Sequence, residues 1–209
     1  MKNVKSAGFT LIELVVVIVI LGILAASAAP VFMDLQKDAR IAKLNGLLAT
    51  IKSAEHLTYG KSVIAGLEKF AAYNDGATIS VHYLCLDGSA SDSCNVSNGM
   101  AVSFGYPAVL NNPVSLEEAG LLKALDLDVK KYSASDRKSH DWQYKVKVVN
   151  SNIYMMLGLS DTELPETYAT NDDGSVKENA IGCYVVYANP YKDSDGSIRK
   201  MTAIVTEGC

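Results

Sequence analysis

Hydrophobic and polar positions divide the chain into two regimes. From Leu14 to Met33 the residues are apolar, broken only by Ser27 and Pro30, and one carboxylate, Glu13, stands at the head of the run. As a helix, such a stretch is long enough to span a bilayer. Beyond Met33 the pattern turns amphipathic. Leu44, Leu47, Ile51, Ala54 and Thr58 recur at helical spacing, while Lys37, Asp38, Arg40, Lys43 and Lys52 take other faces. The pattern predicts one helix from Phe9 to about Tyr59, about 75 Å long at 1.5 Å per residue. No domain core covers that length, so its first half is expected to lie in lipid or among other subunits. Gly22 and Pro30 interrupt the run and are candidate points of local melting, since proline removes a helix hydrogen bond. A proline tolerated in a membrane helix is the competing reading.

The rest of the chain reads as shorter elements. Gly60 and Gly66 bracket a break, and Ser62 to Tyr73 has the spacing of a second helix, with Val63, Ile64, Leu67, Phe70 and Ala71 on one face. Asn74-Asp75-Gly76 signals a turn before a strand over Thr78–Leu86. Ser115-Leu116-Glu117-Glu118 has capping-box spacing and predicts a helix to about Asp126. Trp142, Tyr144, Val146 and Val148 alternate with polar residues as a half-buried strand does. Asn150-Ser151-Asn152 turns the chain into a strand at Ile153–Leu157, and Cys183–Tyr187 with Ile198–Val205 predicts a closing hairpin. The order is a long helix, a mixed segment and a meander of strands, an α+β fold with an antiparallel sheet packed on the amphipathic half of the helix.

An ionisable group at the edge of a membrane span is a functional feature that needs a partner. The residues before Glu13 are informative: Lys2 and Lys5 precede Gly8-Phe9-Thr10-Leu11-Ile12-Glu13. This string resembles the class III signal of type IV pilins and of their relatives, the type II secretion pseudopilins. The resemblance implies that residues 1–8 are a leader. A prepilin peptidase on the cytoplasmic face would cut between Gly8 and Phe9 and methylate the new amine of Phe9. Residues 9–33 would be the membrane-spanning half-helix that later forms a filament core, and residues 34–209 the pilin headpiece. Glu13 would then receive the cationic amine of an incoming subunit: each charge alone in hydrocarbon is costly, and the pair largely cancels. Two plainer readings compete: a secretory signal cleaved after Ala26-Ser27-Ala28, and a simple anchor. A charge inside the apolar region argues against the first, and the second leaves Glu13 without a purpose.

Charge and cysteines extend this picture. The 209-residue chain has a formal charge of −4; without Lys2 and Lys5 its 19 basic residues become 17 against 23 acidic, or −6. That balance gives no basic surface for nucleic acid. The flanking lysines place the N-terminus in the cytoplasm and the remainder outside the inner membrane, where disulfides form. Cys85, Cys94, Cys183 and Cys209 allow three pairings. Cys85–Cys94 closes a short loop at little entropic cost. Cys183–Cys209 would tie the last residues to an internal strand, and it resembles the C-terminal disulfide loop of type IV pilins. A zinc site would ask for closer cysteine spacing.

No catalytic constellation is evident, and His56, His82 and His140 are scattered, so no enzyme is expected. Two oxygen-rich stretches, Asn171-Asp172-Asp173-Gly174-Ser175 and Asp193-Ser194-Asp195-Gly196-Ser197, are weak calcium candidates through Asp193 and Asp195. Neither has a full calcium loop, and a solvated turn is the expected reading, so no cofactor is assigned. Tyr184, Tyr187 and Tyr191 are read as strand packing.

Within the family, several features are similar to mannose-sensitive haemagglutinin-type pilins. They are Gly8 through Pro30, Asp38-Ala39-Arg40, Gly105-Tyr106-Pro107, Asp141-Trp142, Cys183-Tyr184-Val185 and Cys209. The resemblance implies a major pilin that polymerises with itself for surface attachment. Its partners would be the prepilin peptidase, the assembly platform with its ATPase-driven machinery, the secretin and an unidentified surface receptor. It would reside in the inner membrane before assembly and in the extracellular pilus afterwards. A minor pilin and a pseudopilin are the alternatives.

Overall fold

A computed structural model describes residues 9–74, 79–86, 94–111, 118–133, 140–149, 152–166, 171, 177, 180–193 and 195–209. The chain divides into two compact units, Met1–Ala39 and Arg40–Cys209. One helix, α1 (Leu11–Ile64), contributes to both. In the first unit it runs without interruption through Gly22 and Pro30. Ser27 stays compatible with the helix by turning its hydroxyl back to donate to the Leu24 carbonyl at 2.9 Å. From Phe9 to Phe32 every residue is exposed except Ala28, which is half-buried.

In the second unit the predicted helical spacing becomes a packed face. Leu44, Leu47, Ile51, Ala54 and Thr58 are all buried. The four apolar ones, Leu44, Leu47, Ile51 and Ala54, meet a five-stranded sheet in the order β10-β9-β8-β7-β6. Its strands are β6 (Val129–Lys131), β7 (Trp142–Val149), β8 (Asn152–Leu159), β9 (Tyr184–Lys192) and β10 (Ile198–Val205). The pairings are antiparallel except for β6 and β7, which run parallel. Tyr144, Met155, Leu157, Val185 and Tyr187 face α1. Tyr154, Met156, Tyr184, Val186 and Met201 form a second core on the opposite face with Leu164 and Ala180. The fold is α+β, as expected.

Beside this sheet stand a two-stranded pair, β1 (Tyr73–Asn74) with β2 (Ile79–Ser80), and a three-stranded sheet. The latter is ordered β3 (His82–Cys85), β4 (Gly99–Ser103), β5 (Tyr106–Pro107). Ser103 pairs with Tyr106, leaving a two-residue turn in which Phe104 and Gly105 have φ of 49° and 82°. Positive φ at both positions is what a type I′ turn requires. Gly105 also lies against α1, where an added Cβ would sit 3.0 Å from the Tyr59 ring.

Two helical expectations are corrected. No second helix covers Ser62–Tyr73, because α1 itself continues to Ile64 and Gly66 then closes it. Gly66 adopts φ +72°, the Leu67 amide donates to the Ser62 carbonyl at 2.8 Å, and the Gly66 amide donates to the Val63 carbonyl at 3.2 Å. These are the paired bonds of a Schellman motif, which stop a helix and turn the chain away. The helix expected up to Asp126 is a kinked π-type turn, Glu118–Leu122, followed by one helical turn, Lys123–Leu125. The kink falls at Gly120, where any Cβ would strike the Ala108 carbonyl. The expected caps and turns at Ser115–Glu117, Asp75-Gly76 and Asn150-Ser151 lie outside the described residues.

Candidate assembly site

The head of α1 carries a hydrogen-bonded box. Thr10 precedes the first helical residue, and Glu13 is the third residue of the helix. The Thr10 amide and hydroxyl both donate to Glu13 Oε2 at 2.8 Å, and the Glu13 amide donates to Thr10 Oγ1 at 3.4 Å. This reciprocal arrangement satisfies two amides that the first turn of a helix otherwise leaves unpaired. The signal is legible in the sequence as Thr-x-x-Glu, and the box adds a capping role to the charge of the carboxylate. Phe9, immediately before the box, is 88% exposed. Gly8 and the expected leader lie outside the described residues. The helix behind the box is apolar and long enough to cross a membrane by length and composition.

A second polar constellation lies in the headpiece. Arg40 Nη1 donates to the Cys209 carbonyl at 3.1 Å, and Nη2 donates to Asp161 Oδ2 at 2.9 Å. The structure contains the bridges Cys85–Cys94 and Cys183–Cys209. Arg40 therefore fastens α1 to the residue that closes the second bridge. Beside it opens a cavity of about 570 Å³ with Tyr132, Leu164, Pro165, Glu166 and Ile181 in its lining. Lys145 and Lys147 both pair with Glu166 and hold its carboxyl below the ordinary carboxylate range. Nothing in the sequence pattern pointed to Arg40 and Cys209 as neighbours, because the contact spans 169 positions.

A third contact set fixes the loop after β4 against the helix. Tyr59 stacks on Tyr106 with ring centroids 4.7 Å apart, and the Lys200 ammonium sits 4.4 Å from the Tyr106 ring centre. The same ammonium pairs with Glu55 at 3.5 Å, which gives that buried carboxylate a charge partner. Tyr184 and Tyr187 are core residues; the Tyr187 hydroxyl donates to the Pro107 carbonyl at 2.7 Å. Burial, and then the nearby Glu55 and Tyr106, push its ionisation well above the usual tyrosine value.

The remaining candidates are placed separately. His56 is exposed on α1, His82 stacks on Phe70 at 4.4 Å, and His140 is buried just before β7. Asp193 accepts from Arg199 Nε at 2.9 Å, and Asp195 lies 3.9 Å from the same guanidinium while accepting from the Ser197 amide at 2.8 Å. A divalent cation there would have to displace Arg199. Among the described residues no three His, Cys, Asp or Glu side chains converge as a metal site. The second oxygen-rich stretch falls, apart from Asn171, outside the described residues.

Comparison with known proteins finds similarity over part of the chain. Residues 3–29 match the family model described as the prokaryotic N-terminal methylation motif. The chain is 38% identical over 95 residues to the type IV narrow pilus major component PilA5 of Thermus thermophilus, a match covering 44% of this chain and 82% of that one. It is 33% identical over 94 residues to a fimbrial protein of Pseudomonas aeruginosa, covering 44% and 59% of the two chains. It is 49% identical over 47 residues to the type IV major alpha-pilin of Moraxella bovis, covering 22% and 30%. No solved structure matches.

Proposed function

The chain belongs to the type IV pilin family, and from that premise we propose that it is the major structural subunit of an extracellular type IV pilus. The observation that carries this reading is the exposed apolar helix whose first turn holds one carboxylate, joined to a headpiece with two disulfides. A helix with no protein cover over residues 9–32 requires lipid or other subunits around it. The proposed sequence of events supplies both. The leader is cut after Gly8, Phe9 is methylated, and the helix holds the subunit in the inner membrane. The assembly platform and its ATPase-driven machinery then move it into a filament that leaves through the secretin. The work is polymerisation and surface attachment, with no catalytic step.

Glu13 has a defined task in this scheme. In the isolated chain its carboxylate is occupied by Thr10. In the filament the cationic amine of a neighbouring Phe9 takes over as the stronger, charge-assisted partner. The exchange rewards one axial register and penalises others. Gly22 and Pro30 mark where α1 lengthens once packed among neighbours, because Pro30 has no amide hydrogen to hold the preceding turn.

Intact-mass and N-terminal peptide measurements on sheared surface filaments test the proposal. The expected result is an abundant chain beginning at methylated Phe9. A mature terminus at Ala29 would overturn the pilin processing scheme. A trace component of filaments built from another chain would make it a minor pilin, and absence from filaments would leave a pseudopilin.

A further inference from the structure

Two tyrosines from distant parts of the chain meet ring to ring on the headpiece. Tyr59 lies on α1, a little more than one turn before its end, and Tyr106 opens β5. Their ring centroids are 4.7 Å apart and their planes are 18° from parallel. The surroundings hold this arrangement. Gly105 lets the turn approach α1, since a Cβ there would lie 3.0 Å from the Tyr59 ring and 3.3 Å from Ser62 Cβ. The Phe104 amide donates to the Phe70 carbonyl at 2.7 Å and fastens the same turn to the segment leaving α1. The Lys200 ammonium, paired with Glu55 at 3.5 Å, sits 4.4 Å from the centre of the Tyr106 ring. Tyr59 is 38% exposed and Tyr106 is half-buried, so a dissolved oxidant can reach the pair. Tyr144, Tyr154, Tyr184 and Tyr187 are closed off from solvent.

We propose that Tyr59 and Tyr106 form a site of oxidative modification, which a one-electron oxidant of the peroxide-derived class converts into a dityrosine within one chain. Each phenol gives one electron to the oxidant and its hydroxyl proton to water, leaving two phenoxyl radicals. The unpaired density of a phenoxyl lies partly on the ring carbons beside the C–O bond. The new bond joins one such carbon of each ring and forms through the ring faces, so stacked rings are already in the productive approach. The hydrogen on each joined carbon then moves as a proton to its own phenol oxygen, which restores both rings. Two electrons and two protons leave the protein, and one carbon–carbon bond is made. The link joins α1 to the β4–β5 turn and closes a longer loop than either disulfide, whose cysteines are 26 and 9 positions apart. Oxidation at this place therefore fastens the headpiece. The inference needs only the folded headpiece and stands apart from the subunit reading.

Illumination of the full-length chain in detergent with a ruthenium tris-bipyridyl complex and persulfate, a light-driven one-electron oxidant, tests this. The expected product is a fluorescent monomer lighter by two hydrogens, whose cross-linked peptide joins Tyr59 to Tyr106. Its yield should not change with protein concentration. Unfolding the chain in denaturant before illumination should cut that yield about tenfold, because the rings are no longer held together. Tyr59→Phe keeps a ring for the stack and should abolish the link. A main product that joins other tyrosines, or joins two chains, would overturn the proposal. So would oxidation that leaves Tyr59 and Tyr106 unlinked, or an equal yield from folded and unfolded chain.

Discussion

A single threonine changes what Glu13 must be understood to do. Thr10 supplies two donors to the carboxylate, so the isolated subunit is not left with a bare charge at the edge of its apolar helix. Glu13→Ala removes the cap and, on the proposed assembly scheme, the acceptor for a neighbour's amine. We expect normal membrane insertion and normal cleavage after Gly8, with surface filaments lost and the membrane pool enlarged; counting filaments and membrane-bound subunit in parallel measures both. Thr10→Val separates the two roles. It removes the hydroxyl but keeps the amide and the charge, so assembly should fall far less than with Glu13→Ala. Equal losses would assign the effect to the cap and not to the charge. Titration gives a second expectation for single residues. Lys145 and Lys147 lower the Glu166 carboxyl from its ordinary 4.5, and hydrogen bonds from Ser197 lower Asp195 from 3.8. Folded values below unfolded ones mean stability that is complete above those numbers and lost as pH falls through the folded values. Tyr187 has the opposite sign: its value is raised from 10.0, so its contribution is complete below 10 and lost as pH rises through the folded value. Melting temperature against pH should therefore fall in acid below 4.5 and in alkali above 10.0, with no step from these three groups between.

Elements differ in how legible they were. The buried face of α1 could be read directly, since helical periodicity places Leu44, Leu47, Ile51 and Ala54 on one side whatever they pack against. Ile51 is fully buried and its neighbour Lys52 is exposed. Ile51→Ala should cost about 2–5 kcal/mol of headpiece stability in denaturant unfolding, and Lys52→Ala less than about 0.5 kcal/mol. The end of α1 was misread for a physical reason. Val63, Ile64, Leu67 and Phe70 keep helical spacing past Gly66, and spacing does not show that a glycine has taken positive φ. Periodicity also failed where pairing is non-local. Val129–Lys131 is too short to show alternation, and its parallel match to β7 depends on the chain between them. The Thr10–Glu13 box was readable from four consecutive residues, whereas Arg40 with Asp161 and Cys209 needed the folded sheet.

At the scale of the whole molecule, the two bridges differ in how much chain they constrain. Cys183 and Cys209 are 26 positions apart, and Cys85 and Cys94 are 9 apart. In the chain-entropy account the longer loop stabilises more, by about 1 kcal/mol. Replacing Cys183 and Cys209 by serine should therefore lower unfolding free energy by about 2–5 kcal/mol, and more than the same change at Cys85 and Cys94. Denaturant titration of the two double variants compares them directly. The longer loop has a further consequence, because it contains both β9 and β10, and β10 is the outermost strand of its sheet. An outermost strand is the one most easily lent to another molecule. Here the hairpin at one end and the sulfur bridge at the other tether β10 to its own partner. Loan of β10 alone to another subunit is closed off while the bridge is intact. In the proposed filament each subunit would then enter with this hairpin already finished, and a subunit released from it would keep the hairpin without refolding.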